Sequence, residues 1–315
     1  MTEGKLGLPY RTFPTGWFQL AWRDEIEPGR AVPLTRFGEE LVAFRGESGE
    51  LHVFDAYCPH FGAHLGYGGC VEGDDIVCPF HQWRFGPDGR VTDIPYSQRR
   101  QTANRLRPWP VVEVETFVFV WYDAQSRPPL WDPPPPNMTG RSVYPGRRLR
   151  YDDLRMHPQM MIENACDAAH FKSVHRARDV PEVTDYGEDG STFWIRLDWP
   201  NGGHMRNELY GVSMAFGVWD GVFPKMGNAY TWAAVTPVTN ETCTFFIEEW
   251  TERRPDDPPT IPPETQRYYD AQDSQSLPDQ EIWRHMRWTP TPALTPEESH
   301  IRALHKWTQQ FYPSG

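Results

Sequence analysis

Two short segments each pair one cysteine with one histidine: Cys58-Pro-His60 and Cys78-Pro-Phe-His81, with 17 residues between His60 and Cys78. For all four side chains to reach one site, two loops must meet tip to tip and the chain between them must double back. Short strands and tight turns allow this, whereas long helices do not. Pro59, Gly62, Gly66, Gly68, Gly69 and Pro79 supply turn formers at the loops. The glycines also let backbone N–H groups approach a buried sulfur. The first 125 or so residues agree. Leu41–Arg45 and Leu51–Phe54 flank Gly46-Glu-Ser-Gly49, a hairpin signal. Trp83–Phe85 and Arg90–Thr92 flank Pro87-Asp-Gly89, a second one. Val111–Trp121 begins by alternating and ends apolar, as a hairpin or one long strand would.

Two thiolates and two imidazoles suit a Rieske [2Fe–2S] centre, where histidines replace cysteines on one iron and raise the potential. They also suit a structural zinc. Zinc fingers usually pair cysteine with cysteine and histidine with histidine; here each pair is mixed, which favours the cluster. Cys58, His60, Cys78 and His81 are therefore the expected cluster ligands. Cys70 lies in the same segment without a partner at ligand spacing and reads as a buried small residue. His64 reads as a polar loop residue.

The chain has 315 residues, enough for two domains. Arg127-Pro-Pro-Leu-Trp-Asp-Pro-Pro-Pro-Pro136 is stiff and extended by composition. The expected domains are thus 1–126, an all-β cluster domain, and 127–315, a second domain mixing helices and strands. A net charge of -12 argues against nucleic acid as a partner. Met1–Leu20 lacks the pattern of a signal peptide, and no apolar run is long enough to span a membrane. Five cysteines, an odd number, argue for a reducing cytoplasm over a disulfide scaffold.

A second constellation lies in Glu163-Asn-Ala-Cys-Asp-Ala-Ala-His-Phe-Lys-Ser-Val-His175. Apolar Met160, Met161, Ile162, Ala165, Cys166, Ala169 and Phe171 fall roughly at helical spacing. His170 and His175 are five apart, about 500° of helical rotation, so their rings diverge by about 140° on a regular helix. The helix must loosen or end between them if both are to bind one metal. Two imidazoles and one carboxylate on one face of Fe(II) leave positions open for O2 and substrate. Asp167, three before His170, can reach it and fix its tautomer. The residues leave three candidates for the carboxylate ligand: Asp273, Asp279 and Glu281. Strand-like runs follow at Thr192–Trp199, Tyr230–Thr236 and Thr242–Trp250, then helical ones at Pro263–Ala271 and Pro296–Trp307.

Cys58-x-His60…Cys78-x-x-His81 followed by Asn164-x-x-Asp167-x-x-His170-x4-His175 resembles the α-subunits of Rieske non-haem iron oxygenases. Phe54–His60, Cys78–Arg84, Ile94-Pro-Tyr96 and the tail from Asp279-Gln-Glu-Ile-Trp283 to Tyr312 resemble the 3-ketosteroid 9α-hydroxylase oxygenase component and the cholesterol 7-desaturases. The resemblance implies an α+β chain whose second domain has an antiparallel sheet flanked by helices, helix-grip-like. It implies Asp279 as the carboxylate ligand beside His170 and His175, and catalytic roles for Asp167 and Asn164. It further implies that Asp167 lies between the mononuclear iron of one subunit and the Rieske centre of the next, in a homotrimer. A flavin or iron–sulfur reductase, or a ferredoxin, would supply electrons from NAD(P)H. Monohydroxylation of a bulky hydrophobic, steroid-like or polycyclic substrate is the expected reaction; desaturation and oxidative demethylation remain open, as does a Rieske electron carrier without the second iron. Met161, Phe216, Val218, Trp219 and Trp232 are candidate pocket residues.

Overall fold

The computed structural model describes residues 13–99, 103–134, 138–223, 226–289 and 291–312, without the Asp273 side chain. The chain divides into two compact units. Residues 19–121 and 127–133 form one, and the remaining described residues form the other.

The first unit is built of β-strands: β1 (Gly16–Trp22, begun in the other unit), β2 (Ala31–Arg36), β3 (Glu39–Arg45), β4 (Leu51–Asp55), β5 (Cys70–Glu72), β6 (Asp75–Val77), β7 (Arg84–Phe85), β8 (Val91–Asp93), β9 (Val111–Val114) and β10 (Phe117–Tyr122). They form three sheets in the orders β1-β10-β9, β2-β3-β4 and β5-β6-β7-β8, with β9–β10 and every pair of the other two sheets antiparallel. The hairpins expected at 41–54 and 83–92 form as β3–β4 and β7–β8. Val111–Trp121 resolves into a hairpin, β9–β10, turning at Glu115 with φ +54°. Phe44, Phe54, Leu65, Ile76, Phe85 and Leu106 form a core that also takes in Cys58 and Cys78. Each fully buried apolar side chain contributes roughly 1.5–3 kcal/mol. The start of the proline-rich stretch packs on this unit: Trp121 Nε1 donates to the Arg127 carbonyl at 3.0 Å, and the Trp131 ring meets Trp121 edge-on at 4.7 Å.

The second unit holds one seven-stranded antiparallel sheet. Its strands are β11 (Arg147–Arg155), β12 (Glu182–Asp189), β13 (Thr192–Asp198), β14 (His204–Tyr210), β15 (Met214–Asp220), β16 (Ala229–Pro237) and β17 (Thr242–Thr251), in the order β11-β17-β16-β15-β14-β13-β12. The helices are α1 (Pro158–Cys166), α2 (His170–Ser173), α3 (Pro263–His285) and α4 (Ser299–Thr308). β13 and β14 alternate strictly between buried and half-buried residues, so one face of the sheet is the core face. α1 packs against β14, β15 and β16, and α3 against β11. α3 runs 23 residues, well beyond the expected 263–271, and continues through Pro278. No described helix is long and apolar enough to cross a membrane.

In the first unit, Arg45 is 5% exposed and forms a two-pronged pair with Glu113 at 2.9 and 2.6 Å. That hydrogen-bonded pairing holds the Glu113 carboxyl below its ordinary 4.5, against the opposing pull of burial. A depressed carboxyl contributes stability above its unfolded-state value and loses it as pH falls through the folded-state value. Glu113→Gln should therefore cost about 2 kcal/mol at pH 7, and the gap to wild type should shrink as the pH is lowered past 4.5. Urea unfolding of both proteins at several pH values measures this.

Candidate metal centres

The two loops of the first unit share one hydrogen-bond frame. Cys58 N–H donates to the Ala63 carbonyl at 2.9 Å, and Gly62 N–H to the Cys58 carbonyl at 2.9 Å. Cys78 N–H donates to the Trp83 carbonyl at 2.8 Å, and Gln82 N–H to the Cys78 carbonyl at 3.0 Å. Both loops thus close with the same offsets, though one histidine lies two residues after its cysteine and the other three. The fourth residue after each cysteine needs a left-handed backbone: Gly62 has φ +74° and Gln82 φ +58°. Glycine meets this freely, whereas glutamine carries strain.

The frames bring all four predicted donors together. Cys58 and Cys78 are 2% and 1% exposed, while His60 and His81 sit half-buried at the rim with ring centres 4.7 Å apart. His60 stacks on Trp83 at 4.6 Å, and Trp83 Nε1 donates to the Tyr96 hydroxyl at 2.7 Å. Burial pushes the Cys58 thiol up to about 11, with Cys78 adding to the effect and the backbone N–H groups of His60 and Phe61 opposing it. A thiol held up in this way needs a cation to ionise. His60 Nδ1 is buried without a hydrogen-bond partner. Paired thiols, a neighbouring pair of imidazoles and an orphaned ring nitrogen fit a [2Fe–2S] cluster, which Cys58, Cys78, His60 and His81 would hold.

Cys70 is exposed, contrary to the expectation of a buried residue: it opens the short strand β5, whose side chains alternate outward. His64 is more enclosed than a polar loop residue. Its Nδ1 accepts from Gly66 N–H at 3.1 Å, and its Nε2 lies 3.5 Å from Glu40.

In the second unit the helix does end between the paired histidines. α1 stops at Cys166, α2 spans only His170–Ser173, and His175 follows it, just before Arg176 with φ +57°. The stretch 160–171 is therefore two helices and not one. His170, His175 and Asp279 converge, with one potential ligand atom from each lying within 4.8 Å of the others. His175 Nε2 is 3.2 Å from Asp279 Oδ2. His170 and Asp279 are buried and His175 half-buried. Burial holds the His170 imidazole below its ordinary value, with the Asp167 and Asp279 charges pulling the other way. Two imidazoles and one carboxylate fit a divalent iron and leave positions open. Of the other two carboxylate candidates, Glu281 is exposed and pairs with His285 at 3.1 Å, while the Asp273 side chain lies outside the described residues.

Asp167 fixes the His170 tautomer by a different atom from the one expected. His170 Nδ1 donates to the Asp167 main-chain carbonyl at 2.7 Å, and the carboxylate stays 3.7 Å away. The carboxylate instead accepts from Ala169 N–H at 2.8 Å, at the entry to α2. His170 Nε2 is thereby left to face the site, with Asn164 Nδ2 3.4 Å from it.

The triad opens onto a cavity of about 470 Å³. Met161 and Trp219 line it as expected; Phe216, Val218 and Trp232 do not. Ala215, Gly217 and Trp219 of β15 and Thr231 and Ala233 of β16 face the cavity, so strand alternation turns Phe216, Val218 and Trp232 to the other face. There Phe216 stacks on Tyr230 and Trp232 on Tyr210. Sequence reading missed Phe171, Trp199, Asn207, Phe245, Glu249, Tyr268 and Trp283, all of which line the cavity. On α3 the lining positions 268, 271, 272, 275, 276, 279 and 283 form a helical stripe. Phasing that stripe on Asp279 would have found Tyr268.

Residues 16–117 match the Rieske [2Fe-2S] domain, and residues 120–312 match the 3-ketosteroid 9α-hydroxylase C-terminal domain. The 3-ketosteroid-9-alpha-monooxygenase oxygenase component of Rhodococcus rhodochrous is 28% identical over 331 residues, covering 95% of this chain and 84% of that one. Cholesterol 7-desaturase nvd 1 of Ciona intestinalis is 39% identical over 165 residues. That match covers 52% of this chain, which spans only 35% of the desaturase's length. Among solved structures, dicamba monooxygenase bound to dicamba superposes with a TM-score of 0.72 at 18% identity, covering 95% of this chain and 98% of that one. NdmA of Pseudomonas putida CBB5 with caffeine gives 0.75 at 15% identity, covering 93% and 89%. These two likenesses establish the fold. On the match that spans most of its length, the chain belongs to the family of the 3-ketosteroid 9α-hydroxylase C-terminal domain, preceded by a Rieske [2Fe–2S] domain.

Proposed function

We propose that this protein is the oxygenase component of a Rieske-type monooxygenase and hydroxylates a bulky apolar substrate, steroid-like or polycyclic. The observation that carries this is the placement of His170, His175 and Asp279 at a cavity walled by Met161, Phe171, Trp199, Trp219, Phe245 and Trp283. When bound, the mononuclear iron supplies O2 activation, with electrons from a reductase or ferredoxin that oxidises NAD(P)H. The protein's own part is to hold and orient. The Asp167 carbonyl keeps the His170 proton on Nδ1. Asn207 Nδ2 donates to the Ala165 carbonyl at 2.7 Å and ties α1 to the cavity floor. The aromatic walls exclude water and receive a flat, apolar ligand.

The working unit in this reading is a homotrimer. Around His60 and His81, Phe61, Phe80 and Tyr96 are each more than 60% exposed. Such a collar is suited to burial against a second copy. The Asp167 carboxylate, 38% exposed, would lie where a neighbouring copy's cluster domain docks and would link the two centres. A cytoplasmic location fits the same reading. Desaturation is the second reading, favoured by the identity to the Ciona desaturase; it uses the same cavity and differs in the product.

Three outcomes test the proposal. With a surrogate reductase and a panel of sterols and other polycyclic compounds, O2 uptake should be coupled to a hydroxylated product identified by mass. A desaturated product would select the second reading, and uncoupled uptake across the whole panel would sink both. Asp279→Ala should lower iron from about three to about two per chain while keeping the visible spectrum of the cluster. Asp167→Asn should retain both metals and lose at least about 100-fold in turnover; wild-type turnover would remove the linking role.

A further inference from the structure

α1 has two working faces. Met161, Asn164 and Ala165 line the cavity. At about 100° per residue, Gln159 and Glu163 lie on the opposite side of the helix, about 40° apart. That side meets the end of the chain. Glu163 Oε1 accepts from Gln159 Nε2 at 2.9 Å and from Trp288 Nε1 at 3.1 Å, and His305 Nε2 of α4 lies 2.8 Å from it. The Tyr312 hydroxyl donates to Gln159 Oε1 at 2.9 Å, which fixes the end of that amide turned to Glu163. One oxygen of a largely enclosed carboxylate thus meets nitrogens from three segments: α1, α4 and the stretch between α3 and α4.

Apolar contact alone would keep α1 in place, since Met160, Ile162 and Cys166 are each at most 1% exposed. Such contact is non-directional and leaves a helix free to turn a little about its axis. Directed bonds to one enclosed oxygen remove that freedom. Setting register is the best-attested use of a buried polar group.

The rotation of α1 bears on the metal triad through an unbroken series of bonds. Asp167 N–H donates to the Asn164 carbonyl at 3.2 Å and closes the last turn of α1. The Asp167 carbonyl accepts the His170 Nδ1 proton at 2.7 Å. Asn164 Nδ2, 3.4 Å from His170 Nε2, rides on the same turn. Glu163 directly precedes Asn164, so one helical turn separates the Glu163 carboxylate from the group that orients His170. Contiguous hydrogen bonds and a rigid element are the physical means by which one position biases another.

We infer that Glu163 is a positioning residue: held from behind by His305, Trp288 and Gln159, it fixes the rotation of α1 and, through the Asp167 carbonyl, the direction in which His170 presents Nε2. This rests on the triad holding iron, as the proposed oxygenase requires. The last part of the chain, residues 288–312, then acts on the metal end although none of its described residues lines the cavity.

Loss of the mononuclear iron from the reduced holoenzyme to a ferrous chelator tests this without turnover, with urea unfolding of each protein alongside. Glu163→Leu should lose that iron at least about 3-fold faster than wild type, less than the roughly 10–100-fold of a group bonded directly to a ligand histidine. Glu163→Gln keeps an acceptor oxygen and should stay within about 2-fold of wild type. Ile162→Val lowers stability by loosening the same helix without touching a directed bond; its iron loss should also stay within about 2-fold. If Glu163→Leu fails to fold, His305→Leu takes its place and should lose iron at least about 2-fold faster, with His305→Gln restoring the wild-type rate. Wild-type iron loss in the leucine variants, equally fast loss in Glu163→Gln, or loss in Ile162→Val that matches Glu163→Leu would each overturn the positioning role and leave the oxygenase reading standing. A wild-type protein with about two iron atoms per chain instead of about three would remove the oxygenase reading itself, and this inference with it.

Discussion

The second unit depends on one short hydrogen bond, from His170 Nδ1 to the main-chain carbonyl of Asp167. That carbonyl is free to accept because α1 has already ended at Cys166. In an unbroken helix it would be taken by the N–H of Phe171, and the His170 ring would follow the helix surface. Breaking the helix thus does two things at once. It frees an acceptor that sets the tautomer, and it lets His170 and His175 approach at 5.0 Å between ring centres instead of diverging. The Asp167 side chain, no longer needed for that task, caps Ala169 and leaves part of its carboxylate in solvent.

The first unit solves the same problem in a different way. Its four donors come as two short-range pairs, so the local task is only to repeat one loop twice. The repeated offsets at Cys58 and Cys78 do this, and the extra residue before His81 is absorbed without altering the frame. Gln82 stands where Gly62 stands in the other loop and adopts the same left-handed backbone. Strain at that position is tolerated because Cys78 and Trp83 on either side are anchored in the core.

What could be read from the sequence follows from these distances along the chain. Cys58, His60, Cys78 and His81 were legible because each thiol lies within three residues of its imidazole. His170 and His175 were legible as a pair, and the need for a helix end between them followed from rotation alone. Asp279 is 104 residues beyond His175, and spacing could not choose it over Asp273 or Glu281; only the likeness of Asp279-Gln-Glu-Ile-Trp283 to known relatives did. Phe216 and Trp232 were chosen for bulk and hydrophobicity, properties that both faces of this sheet demand. Which face meets the cavity depends on strand parity relative to α1 and α3, and small residues such as Ala215, Gly217 and Ala233 give no signal of it. The same blindness hid Glu249, which is a surface-type residue by composition and a buried one by register.

A single helix carries a large part of the cavity lining. Asp279 of the His170–His175–Asp279 triad and Tyr268 both lie on one cavity-lining stripe of α3. Adding one residue between them would rotate Tyr268 about 100° around the axis and take it out of the cavity. Three or four residues would return it to nearly the same face but move it by about 5 Å. The distance between Tyr268 and Asp279 is therefore fixed in steps of a helical turn, and finer adjustment falls to the side chains between. Ser276, in the middle of the stripe, is held by Tyr151 of β11 at 2.9 Å, which pins α3 to the sheet edge and keeps that spacing from drifting. The spacing of groups along this cavity is a property of a helix and its docking, and it is set some distance from the His170–His175–Asp279 triad.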